Sequence, residues 1–102
     1  MIHDTKRVEA IRRRVAVKVE TLAKMESAVK DSTFREQIEL PKDWLNDIET
    51  LYLSDLSRQQ RTPSEESWWL EQAERMLGIA EQQCTVLESA FKKYGPNLRI
   101  IG

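Results

Sequence analysis

The residue types that carry most enzyme chemistry are sparse in this chain. Its one histidine, His3, stands in a terminus expected to fray, which leaves no imidazole to serve as general base beside a serine or cysteine nucleophile. Its one cysteine, Cys84, and His3 cannot furnish a zinc set, and no Glu-x-x-His pair is present for a carboxylate-bridged pair of metals. Gly78, Gly95 and Gly102 are isolated, whereas a phosphate-cradling loop needs clustered glycines. The carboxylate pairs Glu65/Glu66 and Glu71/Glu74 have the chemistry for acid–base work, yet on an amphipathic helix such pairs ordinarily form a solvated face. The expectation is therefore no catalytic residue, no metal and no cofactor, in a protein that acts by binding and is not an enzyme.

Two features have the chemistry of binding. The first is basic: Lys6, Arg7, Arg12, Arg13, Arg14 and Lys18 crowd the beginning of the chain. Cations near a helix N-terminus oppose the helix dipole, so something must compensate them. Residues 1–30 carry eight Lys/Arg against four Asp/Glu, residues 31–57 two against seven, and the remainder is balanced, giving a net charge of −1. Internal pairing with the acidic segment and with Glu65, Glu66, Glu71 and Glu74 is the favoured reading; an acidic protein partner comes next and nucleic acid last. A helix-turn-helix across residues 34–56 is disfavoured, because Asp43, Asp47, Glu49 and Asp55 on its reading helix would be repelled by phosphate.

The second feature is aromatic. Trp68 and Trp69 are adjacent, so on a helix they point about 100° apart and cannot face the same core. Trp69 joins the stripe of Ala73, Met76 and Ala80; Trp68 shares its face with Ser64, Glu65, Gln72 and Arg75. Trp68 either lies flat against another helix at the rim of the bundle or is an exposed anchor for a partner, tryptophan being the residue most enriched at interface hot spots. The candidate partner-binding residues are thus Trp68, Arg7, Arg12, Arg13 and Arg14.

The elements that must position these residues are helices. Of 102 residues only three are Gly and three Pro, 40% are hydrophobic and 32% charged, a helix-rich profile. Val8, Ile11, Val15, Leu22, Met25 and Val29 recur at three and four, predicting a first helix over about 5–30. Lys18 breaks that stripe; its stem can lie along apolar surface with the ammonium in water, or it can specify register. Thr33 and Glu36 suggest a capping box for a short turn carrying Phe34 and Ile38 and ended by Pro41, which then opens a second helix over about 41–57. Thr62-Pro63-Ser64-Glu65 combines an N-cap, a proline at the first helical position and a capping glutamate, predicting a third helix over about 63–94 that Gly95 and Pro96 stop. An apolar tail follows at 97–102.

These elements make an all-α, single-domain three-helix bundle with long first and third helices and a short middle one. A middle helix of roughly 24 Å cannot cover a third helix of roughly 48 Å, so a homodimer is expected to hide the remainder. Cys84 sits on the apolar face, where a thiol is inert, and Gly78 suggests close approach of a neighbouring helix. With one cysteine, no signal-like apolar segment and no stretch of ~20 apolar residues, a cytoplasmic protein off the membrane is expected. The functional expectation is a small helical protein–protein interaction module, such as an adaptor, chaperone-like subunit or inhibitor. The alternative is a nucleic-acid-associated regulator using the basic first helix.

Overall fold

Three amphipathic segments can hide their apolar stripes only against one another, and the computed structural model, which describes residues 2–58 and 60–94, shows that arrangement. The chain forms α1 (Thr5–Ala28), α2 (Ser32–Asp47), a π-helical turn (Ile48–Leu53), α3 (Ser54–Arg58) and α4 (Pro63–Tyr94), with no strand among the described residues. It is an all-α three-helix bundle, 50 × 19 × 18 Å, whose first and last helices of 24 and 32 residues flank a middle helix of 16. Ion pairs give the directions. Arg7 with Glu74 and Arg14 with Glu81 advance together, so α1 and α4 are parallel; Glu26 with Lys42 and Arg12 with Glu49 advance oppositely, so the middle arm is antiparallel to α1.

The stripes pack as coiled-coil seams. On α1, Val8, Ile11, Val15, Leu22 and Met25 are buried, and Val29 remains buried as the extended C-cap residue. Lys18 occupies the gap in this seam: it is half-buried, with Nζ 3.5 Å from a Glu88 carboxylate oxygen on α4, so its stem follows the seam and its charge is answered at the edge. On α4 the buried stripe is Leu70, Ala73, Leu77, Ala80, Cys84 and Leu87. Trp69, expected to begin that stripe, lies half-buried beside it, and Leu70 takes the seam position. The indole N–H requires an acceptor, which a dry seam does not offer; from the edge Trp69 Nε1 donates to the Tyr52 carbonyl at 3.1 Å.

Glu66 is the one charged residue buried in the same stripe of α4. Its carboxylate accepts from the His3 N–H at 2.8 and 3.0 Å and from the Asp4 N–H at 2.8 Å, which satisfies the buried charge and ties the residues before α1 to the start of α4. Asp4 in turn caps α1 by accepting from the Arg7 N–H at 3.1 Å. His3, expected to fray, is therefore held, and its ring nitrogen Nε2 lies 2.9 Å from the Arg61 carbonyl.

The middle arm departs from its sequence reading. Asp31, rather than Thr33, is the cap, accepting from the Phe34 N–H at 2.9 Å, and α2 runs through Pro41 instead of starting there. A proline inside a helix removes one hydrogen bond and crowds the preceding turn, at a cost of ~3 kcal/mol. Pro41 is itself buried, in line with Phe34, Ile38, Leu45 and Ile48. Each such side chain gains about 1.5–3 kcal/mol on burial, so the continuous stripe outweighs the proline penalty.

The π turn then corrects the phase. Continued α-helical spacing from Ile48 would bring Tyr52 and Asp55 to the core; one extra residue in the turn buries Leu53 and Leu56 instead and leaves Asp55 to pair with Arg61 at 2.5 Å. α2, the π turn and α3 follow one another without a break, with 16, 6 and 5 residues. At 1.5 Å per residue this arm is roughly 40 Å long and covers most of α4. The short-helix premise for a homodimer is thereby removed. The tail at 97–102 and the Gly95-Pro96 stop lie outside the described residues.

At the start of α4 the Thr62 hydroxyl accepts from the Glu65 N–H at 3.2 Å, while Glu65 reaches back to the Thr62 N–H at 3.3 Å and accepts from the hydroxyl at 2.8 Å. These bonds from the Thr62 hydroxyl and backbone hold the Glu65 carboxyl below its ordinary pKa. At Gly78 an added Cβ would meet nothing within 4 Å, so the close helix approach expected there is absent.

Candidate functional site

The α4 seam has two edges, and each received candidate residues from the sequence. On the edge facing α1, Arg7 is bidentate to Glu74, with Nε 3.1 Å from both oxygens and Nη2 at 2.5 Å from Oε1, and Nη1 donates to Ser67 at 3.2 Å. Two turns on, Arg14 reaches Glu81 with Nε at 3.0 Å and also with Nη2. The side-chain hydrogen bonds to Glu74 and Glu81 raise the pKa values of Arg7 and Arg14 respectively, against the opposing cost of partial burial. Arg12 turns the other way, to Glu49 of the π turn at 3.4 Å, and Arg13 is solvent-facing with Glu9 of its own helix at 3.5 Å. The four arginines therefore do not form one patch: three are drawn into ion pairs between helices and the fourth into an exposed i,i+4 pair.

The opposite edge of α4, toward the middle arm, is aromatic at its start. Trp68 is 56% exposed, and its ring stands 5.7 Å from that of Trp69. Trp69 is fixed on three sides: by the Tyr52 carbonyl, by the Tyr52 ring at 5.3 Å, and by the Arg61 guanidinium 4.7 Å from its ring centre. Trp68 thus leans on a rigid neighbour and presents the rest of its surface to solvent, and it does not lie flat on α1 or α2. An opening of about 410 Å³ lined by Arg61, Ser64, Glu65, Trp68 and Trp69 adjoins it.

The same edge continues along the groove between α2 and α4. Trp44, Tyr52, Gln72, Arg75, Met76 and Ile79 surround an opening of about 250 Å³, and Gln37, Leu40, Gln83, Val86 and Leu87 another of about 250 Å³. Ile79 is 49% exposed, Val86 69% and Leu40 49%. Trp68, Arg75, Ile79 and Val86 recur at seven, four and seven residues, a second stripe on the outward face of α4. Leu40, Ile79 and Val86 were not among the residues singled out from the sequence. The spacing that carries them was present there, but masked by the stronger neighbouring stripe of core positions.

The remaining chemistry is quiet. Cys84 is fully buried, and loss of solvation pushes its thiol pKa up despite the opposing influence of Lys18. A cleft of about 480 Å³ between α1 and the later turns of α4 is lined by Thr21, Met25, Glu88 and Phe91, among others. Among the described residues no group of three or more His, Cys, Asp or Glu is placed to hold a metal, and no helix is long and apolar enough to cross a membrane. Comparison of the chain with protein-family models, curated proteins and solved structures finds no match.

Proposed function

We propose that this chain is a helical protein–protein interaction module, acting as an adaptor, chaperone-like subunit or inhibitor by binding a partner protein without catalysis. The observation that carries the proposal is Trp68, more than half exposed beside the fixed Trp69 ring. A large indole left in water at the rim of an opening contributes little to the bundle and much to an interface that covers it. A buried, unpaired Cys84 suits a reducing compartment, and the cytoplasm is the proposed location. Since the length of the middle arm no longer calls for a second copy, the partner is proposed to be a different protein. The alternative, a nucleic-acid-associated regulator, draws less support, because phosphate would have to displace the carboxylates already paired with Arg7, Arg12 and Arg14.

The test is affinity capture from the native host with the wild-type chain and Trp68→Ala side by side. The variant should keep its folding stability within about 1 kcal/mol by urea denaturation while binding the captured protein more weakly by about 2 kcal/mol or more. Equal capture by both chains overturns the proposal. A salt-sensitive shift with generic DNA or RNA would transfer support to the alternative.

A further inference from the structure

We infer that the groove between α2 and α4 receives one basic amphipathic helix of the partner protein, its apolar stripe on Leu40, Trp44, Ile79 and Val86 and its cations against Glu36, Asp43 and Asp47. This rests on the reading of the chain as an interaction module and adds the chemistry of the partner.

The shape comes first. The three openings follow one another along α4 from Trp68 to Val86, and two of them border α2 as well, through Trp44 and through Gln37 and Leu40. That interval is roughly 27 Å, or five turns of helix. The exposed apolar residues of α4 there, Trp68, Ile79 and Val86, recur at eleven and seven residues and so share one face of the helix, the pattern that accepts the stripe of another helix. A fourth helix laid there would turn the three-helix bundle into a four-helix one.

Charge then selects the occupant. Glu36 and Asp43 stand four and three residues from Leu40, and Asp47 three from Trp44, so all three share the outward side of the groove. Among the described residues no ion pair includes them, whereas Glu26, Glu49, Glu74, Glu81 and Glu88 are each paired across helices. The two arginines that line the openings are answered within the chain, Arg75 by Glu71 at 3.1 Å and Arg61 by Asp55. The rim is therefore net acidic around an apolar floor, which favours a helix with flanking lysines or arginines and repels an acidic one. A second copy fits poorly. It would bring the same acidic rim, and its own basic helix, α1, has Arg7, Arg12 and Arg14 already engaged.

The probe is a synthetic amphipathic peptide of about 21 residues, with leucine at the two apolar heptad positions and lysine flanking them, compared with a peptide in which glutamate replaces every lysine. Fluorescence anisotropy at physiological ionic strength should give at least about tenfold tighter binding for the lysine peptide. Ile79→Asp and Leu40→Asp, both at exposed positions and checked for retained helicity, should each weaken it by about tenfold or more, and Asp43→Lys with Asp47→Lys should erase the preference. Equal binding of the two peptides, or binding indifferent to Ile79→Asp, overturns the inference. So does a dimer in light scattering that Ile79→Asp dissolves, which would make a second copy the occupant. Each of these failures leaves the Trp68 dependence of partner capture standing, whereas equal capture by Trp68→Ala would remove the interaction reading itself.

Discussion

The two edges of α4 flank one buried stripe and are built from opposite materials. Toward α1 the edge is charged, and its glutamates are answered: Glu74 by Arg7, Glu81 by Arg14, Glu88 by Lys18. Toward the middle arm it carries Trp68, Ile79 and Val86, and these stay exposed. The contrast shows how a bundle disposes of its surface. Of the basic cluster, Arg7, Arg14 and Lys18 are consumed in pairing α1 in parallel with α4, and Arg12 in pairing it with the π turn. The apolar residues of the other edge, of which only Trp68 stands out in sequence, are left over once the core is complete, and leftover apolar surface is what a partner can cover.

Leu77, Gly78 and Ile79 are consecutive and sample the seam and its two edges, so they are the places to break this comparison. Leu77→Ala removes a fully buried side chain and should cost about 2–5 kcal/mol in urea denaturation, whereas Ile79→Ala should stay within about 0.5 kcal/mol. A loss at Ile79 comparable to that at Leu77 would mean that the chain itself packs the apolar edge. Gly78→Ala has open space for its methyl group and should stabilise the protein by up to about 1 kcal/mol, seen as a higher denaturation midpoint at unchanged slope. Destabilisation there would mean that α1 approaches the charged edge closely enough to meet the added methyl group. The smallest effect belongs to the ion pairs. A double-mutant cycle on Arg14 and Glu81 should return a coupling of about 0.2–1 kcal/mol that falls with added salt, because both side chains remain partly exposed. A salt-insensitive coupling of several kcal/mol would require a drier edge than this one.

Features governed by groups a few residues apart were legible in the sequence. The Thr62–Glu65 capping box and the α1 stripe from Val8 to Met25 follow from bonds and faces that a single helix defines for itself. Local rules misled where distant burial competed with them: Pro41 reads as a helix start, yet it is carried inside α2 because Phe34, Ile38, Leu45 and Ile48 must share one face. The π turn had no signal of its own, since the need to bring Leu53 and Leu56 inward in place of Tyr52 and Asp55 arises only against α1 and α4. Trp68 was visible as a residue but not as a role, and for the arginines internal pairing was the favoured reading without its individual partners. The sequence by itself determined that three amphipathic helices form and that Thr62 and Glu65 cap the start of the last, because helix periodicity and capping act over one or two turns. Which carboxylate answers each arginine, and which tryptophan is held and which is left in water, only the tertiary structure decided, because those outcomes depend on helix direction and relative rotation, quantities set by the packing of all the stripes at once.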